Sequence, residues 1–510
     1  MSEQSSSNNK RIAKNTLFLY LRMFLMMAIN LYTSRVVLST LGVSDYGIYN
    51  VVGGIVAMFV LLSGSITNAI TRFITFELGR KDFCQLQKVF STSLNVMFVL
   101  SIVIITLGEI IGIWFLNYRM NIPEGRLIAA NWVFQCSLLT FVINLISIPY
   151  NSTIVAHERM SAFAYISIFE ACMKLFIVYS LYISPFDKLK TYAVLLLLLS
   201  GIIRFVYGYY CKKHFSESVY RLVYDKTLLK KMLSFAGWNF FGQGAGLINN
   251  QGINILMNIF FGVSVNAARG IAMQVNAAVS MFVTNFMMAL NPQITKMYAS
   301  GNIEEMHKLI YRGVRFSYYL MLFLLIPICL ETNMLLEIWL GNIPEYSVSF
   351  VQWTLIITMI NMLSNTLVTA LHANGNIKRY MIIVGTVEMM NFPITYILFK
   401  HGFGVLMAYY IYFIISIILM LLRLLLIKKM IFMNAITYVK EVYLRIFLVT
   451  ACALVFPLVI FYNMSDTFIR FITICVISCF STVSSIYFVG LKNKERAKLR
   501  SLIKIRLSKY

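Results

Sequence analysis

Asn239, Gln243, Gly246, Asn250, Asn254 and Asn258 follow one another at steps of four, three, four, four and four. Those steps place them on one face of a helix. A neutral amide both donates and accepts, so a stripe of amides suits a hydroxyl-rich ligand. Amides also join helices across a bilayer, and for any one of these residues that is the competing reading. A second stretch, "VSVNAARGIAMQVNAAV" from Val263, repeats the theme, with Asn266, Arg269, Asn276 and Ser280 on one face. Arg22 and Arg35 lie in an earlier apolar run. A guanidinium grips phosphate in a forked geometry, so Arg22, Arg35 and Arg269 are candidates for an anionic ligand. The alternative for Arg35 and Arg269, near the ends of their runs, is snorkelling to the interface. Snorkelling is also the expectation for Arg204 and Arg423. Glu170 and Lys174 stand four residues apart and read as an internal ion pair. Glu388, its counterpart later in the chain, has Phe392 where the lysine would fall. Together with Glu109, which has no evident partner, these carboxylates are the candidates for taking up a coupling H+ or Na+.

The elements that position these groups are membrane helices. The chain has 510 residues, 59% of them hydrophobic and 13% charged. Its mean hydropathy is +0.76. Apolar runs of about 20 residues, long enough to cross a hydrocarbon core, recur along it. Fourteen spans are expected, near 15–40, 45–70, 89–116, 127–154, 160–183, 191–211, 232–261, 264–291, 311–333, 347–371, 379–399, 403–427, 443–463 and 467–490. With the N-terminus inside, 32 of the 44 Lys and Arg fall on inner segments and six on outer loops. That asymmetry predicts both ends on the cytoplasmic side and accounts for the net charge of +24 without nucleic acid. The first apolar run is too long for a signal peptide and reads as a retained span. Pro292 is expected to kink or end the eighth span. The tail "LKNKERAKLRSLIKIRLSKY" reads either as an amphipathic helix on anionic membrane lipids or as a topology anchor.

Other chemistries find little support. The eight Cys are scattered, with no CxxC, and His157 and His372 each close a span without neighbouring ligands, so no metal site is expected. "GWNFFGQGAG" lacks the GK[ST] of a phosphate-cradling loop, and no cofactor is expected. The loops are short, which leaves no room for a soluble catalytic domain.

The chain is internally duplicated. Shifted by 220 residues, Gly42, Val43 and Ser44 fall on Gly262, Val263 and Ser264, and Ala57, Ala69, Ile74, Thr75 and Lys88 fall on identical residues downstream. Later, "STIVAHERMSAFAYISIFE" ending at Glu170 parallels "TLVTALHANGNIKRYMIIVGTVE" ending at Glu388. The expected organisation is a tail at 1–14, a six-helix bundle at 15–211, a linker at 212–231 and a second bundle at 232–427. A loop at 428–442, two further helices at 443–490 and a basic tail at 491–510 follow. Two such bundles in one orientation imply a pseudo-two-fold axis along the membrane normal and alternating access to a shared site.

"LGVSDYGIYNVVGGIVAMF", "IPYNSTIVAHERMSAFAYISIFE", "VNAARGIAMQVNAAV" and "NPQITKMYASGNIEEMHKLI" together resemble the Wzx-type polysaccharide flippases of the multidrug/oligosaccharidyl-lipid/polysaccharide exporter (MOP) superfamily. The resemblance implies an all-α polytopic membrane protein with MATE-like bundles. It also implies movement of an undecaprenyl-diphosphate-linked oligosaccharide across the bacterial inner membrane for O-antigen or capsule synthesis, alongside other polysaccharide assembly proteins. The rivals are a drug/cation antiporter of the same fold, which would favour acidic sites, and a membrane glycan polymerase or ligase. The latter enzymes usually carry a large periplasmic loop.

Overall fold

The computed structural model describes residues 2–500 except 58, 119–121, 123, 124, 224, 494, 498 and 499. Side chains are left undescribed at 2–10, 31, 34, 35, 38, 43, 44, 47, 50, 51, 54, 55, 57, 60–62, 115, 263 and 427–429 as well. The expected basic tail therefore lies mostly outside the described residues, as does the side chain of Arg35.

The structure is helical throughout. The first half comprises α1 (Ser2–Ala57), α2 (Val60–Arg80), α3 (Phe83–Leu107), α4 (Ile113–Tyr118), α5 (Leu127–Ala156), α6 (Met160–Ser180) and α7 (Lys188–His214). The second comprises α8 (Lys226–Phe261), α9 (Val263–Ala299), α10 (Ile303–Leu330), α11 (Thr332–Leu340), α12 (Ser347–Met362), α13 (Asn365–Asn374), α14 (Lys378–Met389), α15 (Asn391–Lys400) and α16 (Met407–Met430). The chain continues as α17 (Ala435–Tyr438), α18 (Leu444–Asn463) and α19 (Phe468–Ser485). Helix begins at Ser2, so the segment expected as an N-terminal tail extends the first helix.

Among the described residues, 11 helices are long and apolar enough to cross a membrane, or 12 if α12 and α13, bent by 42°, form one broken span. The two expected spans not among these are 45–70, which covers the end of α1 and the start of α2, and 232–261, which lies in α8. α2 and α8 are long enough, at 21 and 36 residues. Their apolar character is diluted by Ser, Thr and Asn in α2 and by the amide stripe in α8. Pro292 does not end a helix; it lies inside α9.

The duplication is written in the backbone. α1 breaks at Gly42 (φ 79°), and its counterpart Gly262 (φ 88°) separates α8 from α9. Lys81 (φ 59°) and Gly301 (φ 74°), 220 residues apart, both turn the chain in the left-handed region. Each is followed by the residue that caps the next helix, Asp82 or Asn302.

The chain forms two compact units, residues 1–243 with 288–301, and residues 244–287 with 302–510. In the first, Leu19, Ile154, Met160, Phe163, Val178 and Leu199 belong to a buried cluster built by α1, α5, α6 and α7. Large apolar side chains such as Phe205, Phe447, Phe456 and Phe480 are exposed. Exposure of that extent suits hydrocarbon rather than water as the solvent.

Candidate functional site

Arg269 sits near the start of α9 and is only 9% exposed. Its Nη2 donates to the backbone carbonyl of Asn250 on α8 at 3.1 Å. It lines a cavity of about 140 Å³ in the second unit, together with Asn249, Asn250, Asn276, Asn361 and Asn391. Thr354, Thr358, Tyr409 and Tyr412 supply hydroxyls, and no carboxylate is among the lining residues. The hydroxyl of Tyr409 has Arg269 and Thr354 as its polar neighbours. One pair of amides acts as helix glue: Asn391 Nδ2 donates to Asn249 Oδ1 at 2.7 Å. The site thus offers one cation and many neutral donors and acceptors.

A second cavity of about 110 Å³ shares Asn361 and Tyr412 with the first and adds Ser364, Asn365, Glu388 and Arg423. Arg423, expected to snorkel, is among the residues that line this cavity. Its Nε is buried without a hydrogen-bond partner. Gly246 lies beside the carboxylate: a Cβ there would stand 3.4 Å from Glu388 Oε1, in ordinary van der Waals contact. Phe392, found where a lysine was expected, packs on α8; a Cβ on Gly252 would lie 2.5 Å from its ring.

The remaining candidates lie elsewhere. Asn239 and Gln243 belong to the first unit, so the stripe on α8 is divided between units. Asn239 Nδ2 donates to the carbonyl of Ser65 at 3.4 Å, and the buried Nε2 of Gln243 has no partner. Asn254 is half-buried, one turn beyond Asn250 and outside the cavity lining. Arg22 stacks over Phe163 at 4.5 Å, with Tyr207 and Glu170 as electrostatic neighbours. Glu170 pairs with Lys174 at 2.6 Å. Glu109, expected to be solitary, accepts from Gln135 Nε2 at 3.2 Å within a π-helical turn. Arg204, expected to snorkel, stacks over Tyr150 at 3.9 Å. His157 bonds Glu217 at 2.5 Å and stacks on Phe215. Among the described residues no cluster of His, Cys, Asp or Glu could hold a metal ion.

The first unit has its own cavity, of about 250 Å³, at the matching place in the repeat. Tyr49, Gly53 and Val56 line it, and the same 220-residue shift turns them into Arg269, Met273 and Asn276. Ser137, Thr140, Phe141 and Asn144 on α5 have the spacing of Thr354, Ile357, Thr358 and Asn361 on α12. The repeats thus build equivalent cavities, one mostly apolar and one polar with a single cation.

The sequence reading missed Thr354, Thr358 and Asn361 on α12, and Tyr409 and Tyr412 on α16. Both sets recur at helical spacing, so the stepping rule that found the α8 stripe would have found them.

A MATE transporter in the bent conformation superposes with a TM-score of 0.72 at 14% identity, covering 83% of this chain and 96% of that one. An outward-facing multidrug resistance MATE family transporter of the MOP superfamily gives 0.70 at 15%, again covering 83% and 96%. The chain has the MATE transporter fold. Residues 245–397, which carry the α9 and α12 walls of the Arg269 cavity and Glu388 of the adjoining one, match the MatE family model. A further MATE-fold match is a MOP superfamily transporter from Pyrococcus furiosus Vc1 (DSM3638), for which a binding pocket of reversed polarity suggests a different function. It is 14% identical with a TM-score of 0.68, covering 83% and 96%. No curated protein matches the sequence.

Proposed function

We propose that this multi-pass membrane protein moves an anionic, lipid-linked oligosaccharide across a bacterial inner membrane by alternating access. Undecaprenyl-diphosphate-linked repeat units for O-antigen or capsule are the proposed substrate. The observation that carries this reading is the cavity around Arg269, with its amides and hydroxyls and no carboxylate among the lining residues. A guanidinium matches a phosphate oxygen pair, and the amides match sugar hydroxyls. In this reading Glu388, in the adjoining cavity, takes the coupling H+ or Na+. Both ends of the chain face the cytoplasm, where anionic lipids and other polysaccharide assembly proteins are the partners.

A second reading, a drug/cation antiporter, draws on Glu388 as an acidic site and on the likeness to multidrug transporters. The two separate in a binding experiment on the purified full-length protein. Undecaprenyl diphosphate should raise its melting temperature, and Arg269→Ala should weaken that binding about 10–100-fold, as expected for loss of a charge-assisted hydrogen bond. Arg269→Lys should recover only part of it. Stabilisation by cationic drugs that Glu388→Gln removes, with no response to the lipid diphosphate, would decide for the antiporter.

A further inference from the structure

Glu158 closes α5 in a conformation that suits its residue type poorly. Its φ is 60°, in the left-handed region. Its N–H donates to Val155 and that of Arg159 to Ile154, the pattern of a helix terminus that usually places glycine at this position. At the corresponding turn of the second repeat, which ends α13, the chain does use glycine: Gly375, φ 83°. The fold therefore accepts glycine here, and the first repeat carries a carboxylate instead.

That carboxylate is buried and fully engaged. Its side chain is 2% exposed. Lys296 Nζ donates to it at 2.8 Å and Gln293 Nε2 at 3.0 Å, both from the last turns of α9. Arg11 of α1 pairs with it at 3.2 Å. Beside this cluster, Gly79 lies flush against the same turns. A Cβ on it would stand 2.7 Å from Ala299 Cβ and 2.7 Å from the carbonyl oxygen of Lys296. The duplication offers no reason for the cluster, because Gln293 and Lys296 align with Phe73 and Phe76. All these contacts lie inside the first unit, to which residues 288–301 belong, whereas residues 263–287 of α9, with Arg269, belong to the second.

We propose that Glu158 is a latch on the end of α9. It holds residues 288–301 in one state of the transport cycle and releases them in the other. The chemistry fits a device that opens. A buried carboxylate shared among Arg, Lys and Gln is held by polar contacts that water can replace, unlike an interdigitated apolar seam. The proposal rests on the transport reading, but its test does not use transport.

Hydrogen–deuterium exchange of the full chain in lipid nanodiscs reads the latch directly. Glu158→Gly relieves the left-handed backbone while removing the carboxylate, so it should fold. Exchange across 288–301 should then rise about tenfold or more, with the rest of the first unit unchanged. Lys296→Gln should act in the same direction, and Glu158→Lys combined with Lys296→Glu should restore protection lost in Glu158→Lys alone. Unchanged exchange across 288–301 in both single variants overturns the latch. So does a rise spread through the whole first unit with a lower melting temperature, which marks a static brace. Failure of the lipid-diphosphate binding experiment would remove the substrate assignment and leave this result standing.

Discussion

Arg269 shows how residue type and location jointly make a site. Its repeat counterpart, Tyr49, lines the matching cavity of the first unit, so the position faces a cavity whatever residue it holds. What the second repeat adds is a charge, which the fold does not require and which is expensive to keep in a membrane interior unless an anion engages it. Outside the spans, charge is used for closure. Arg126 bonds Asp45, just past the Gly42 break, and Asp187 at the start of α7, the latter at 2.5 Å. Burial alone would raise the Asp187 carboxyl, but the N–H of Lys190 and the Arg126 guanidinium more than offset it, and its pKa is lowered. For Glu217, burial likewise raises, and the hydrogen bond from His157 with the local backbone N–H brings the net shift below the ordinary value. A lowered folded-state pKa stabilises the fold fully above the unfolded carboxyl pKa of about 4, and that stabilisation is lost as pH falls through the lower folded value. Melting temperature should therefore hold between pH 7 and about 5 and drop below about 4. Asp187→Asn with Glu217→Gln should lower it at neutral pH and flatten the acid limb. An acid limb as steep as that of the wild type would show that other groups set it.

At the scale of elements, the helix that carries most of the amides is shaped by where it meets its neighbours. α8 packs on α15 through bare backbone at Gly252 and through the bond between Asn391 and Asn249. Gly252→Ala would drive a methyl to within 2.5 Å of the Phe392 ring. Overpacking of this kind typically costs about 1–3 kcal/mol. The expected outcome is a lower melting temperature, recovered when Phe392→Leu is added to make space. No recovery in the double variant would mean that the cost arises in α8 itself. The contact also explains what the sequence pattern could only record as a missing lysine after Glu388: position 392 is committed to packing. Helical periodicity made the polar faces visible because it is local. Which of two units a face belongs to is a tertiary property, and this is why Asn239 and Gln243 joined Asn250 in one stripe yet fall in different units. The surroundings of Arg423 were hidden for a related reason. Distance from a span end is legible in sequence, but the presence of Glu388 and Tyr412 around one cavity with it is not.

Across the whole molecule, the duplication was legible down to single positions, from Gly42 and Gly262 to the cavity walls, because equivalent backbones demand equivalent turns. The two helices after the repeats have no counterpart within them, and their sequence alone shows only that they follow the second bundle. In the structure they are tied to α10 at two places, within the second unit. At its C-terminal end, Arg470 of α19 bonds Glu331, the residue that caps α10, at 2.8 Å, and the Glu331 side chain is 1% exposed. Near its middle, Arg315 of α10 donates to the carbonyl of Gly490 at 2.9 Å and to Glu495 at 2.9 Å. Buried ion pairs gain little over apolar contacts, yet losing one partner strands a charge, at a cost of about 3–5 kcal/mol. Glu331→Gln should therefore destabilise strongly, tempered by Asp466, which also pairs with Arg470 at 2.7 Å. Removing both charges, in Glu331→Gln with Arg470→Gln, should cost less than the two single changes added together. The difference expected for a directly bonded pair is about 1–3 kcal/mol. Unfolding of the purified protein in detergent, followed by the exposure of cysteines, measures it, since Cys475 and Cys479 lie on α19 within reach of any loosening. Strict additivity would mean that the clamp does not couple the last helices to α10, and that apolar packing between α10, α18 and α19 alone holds them.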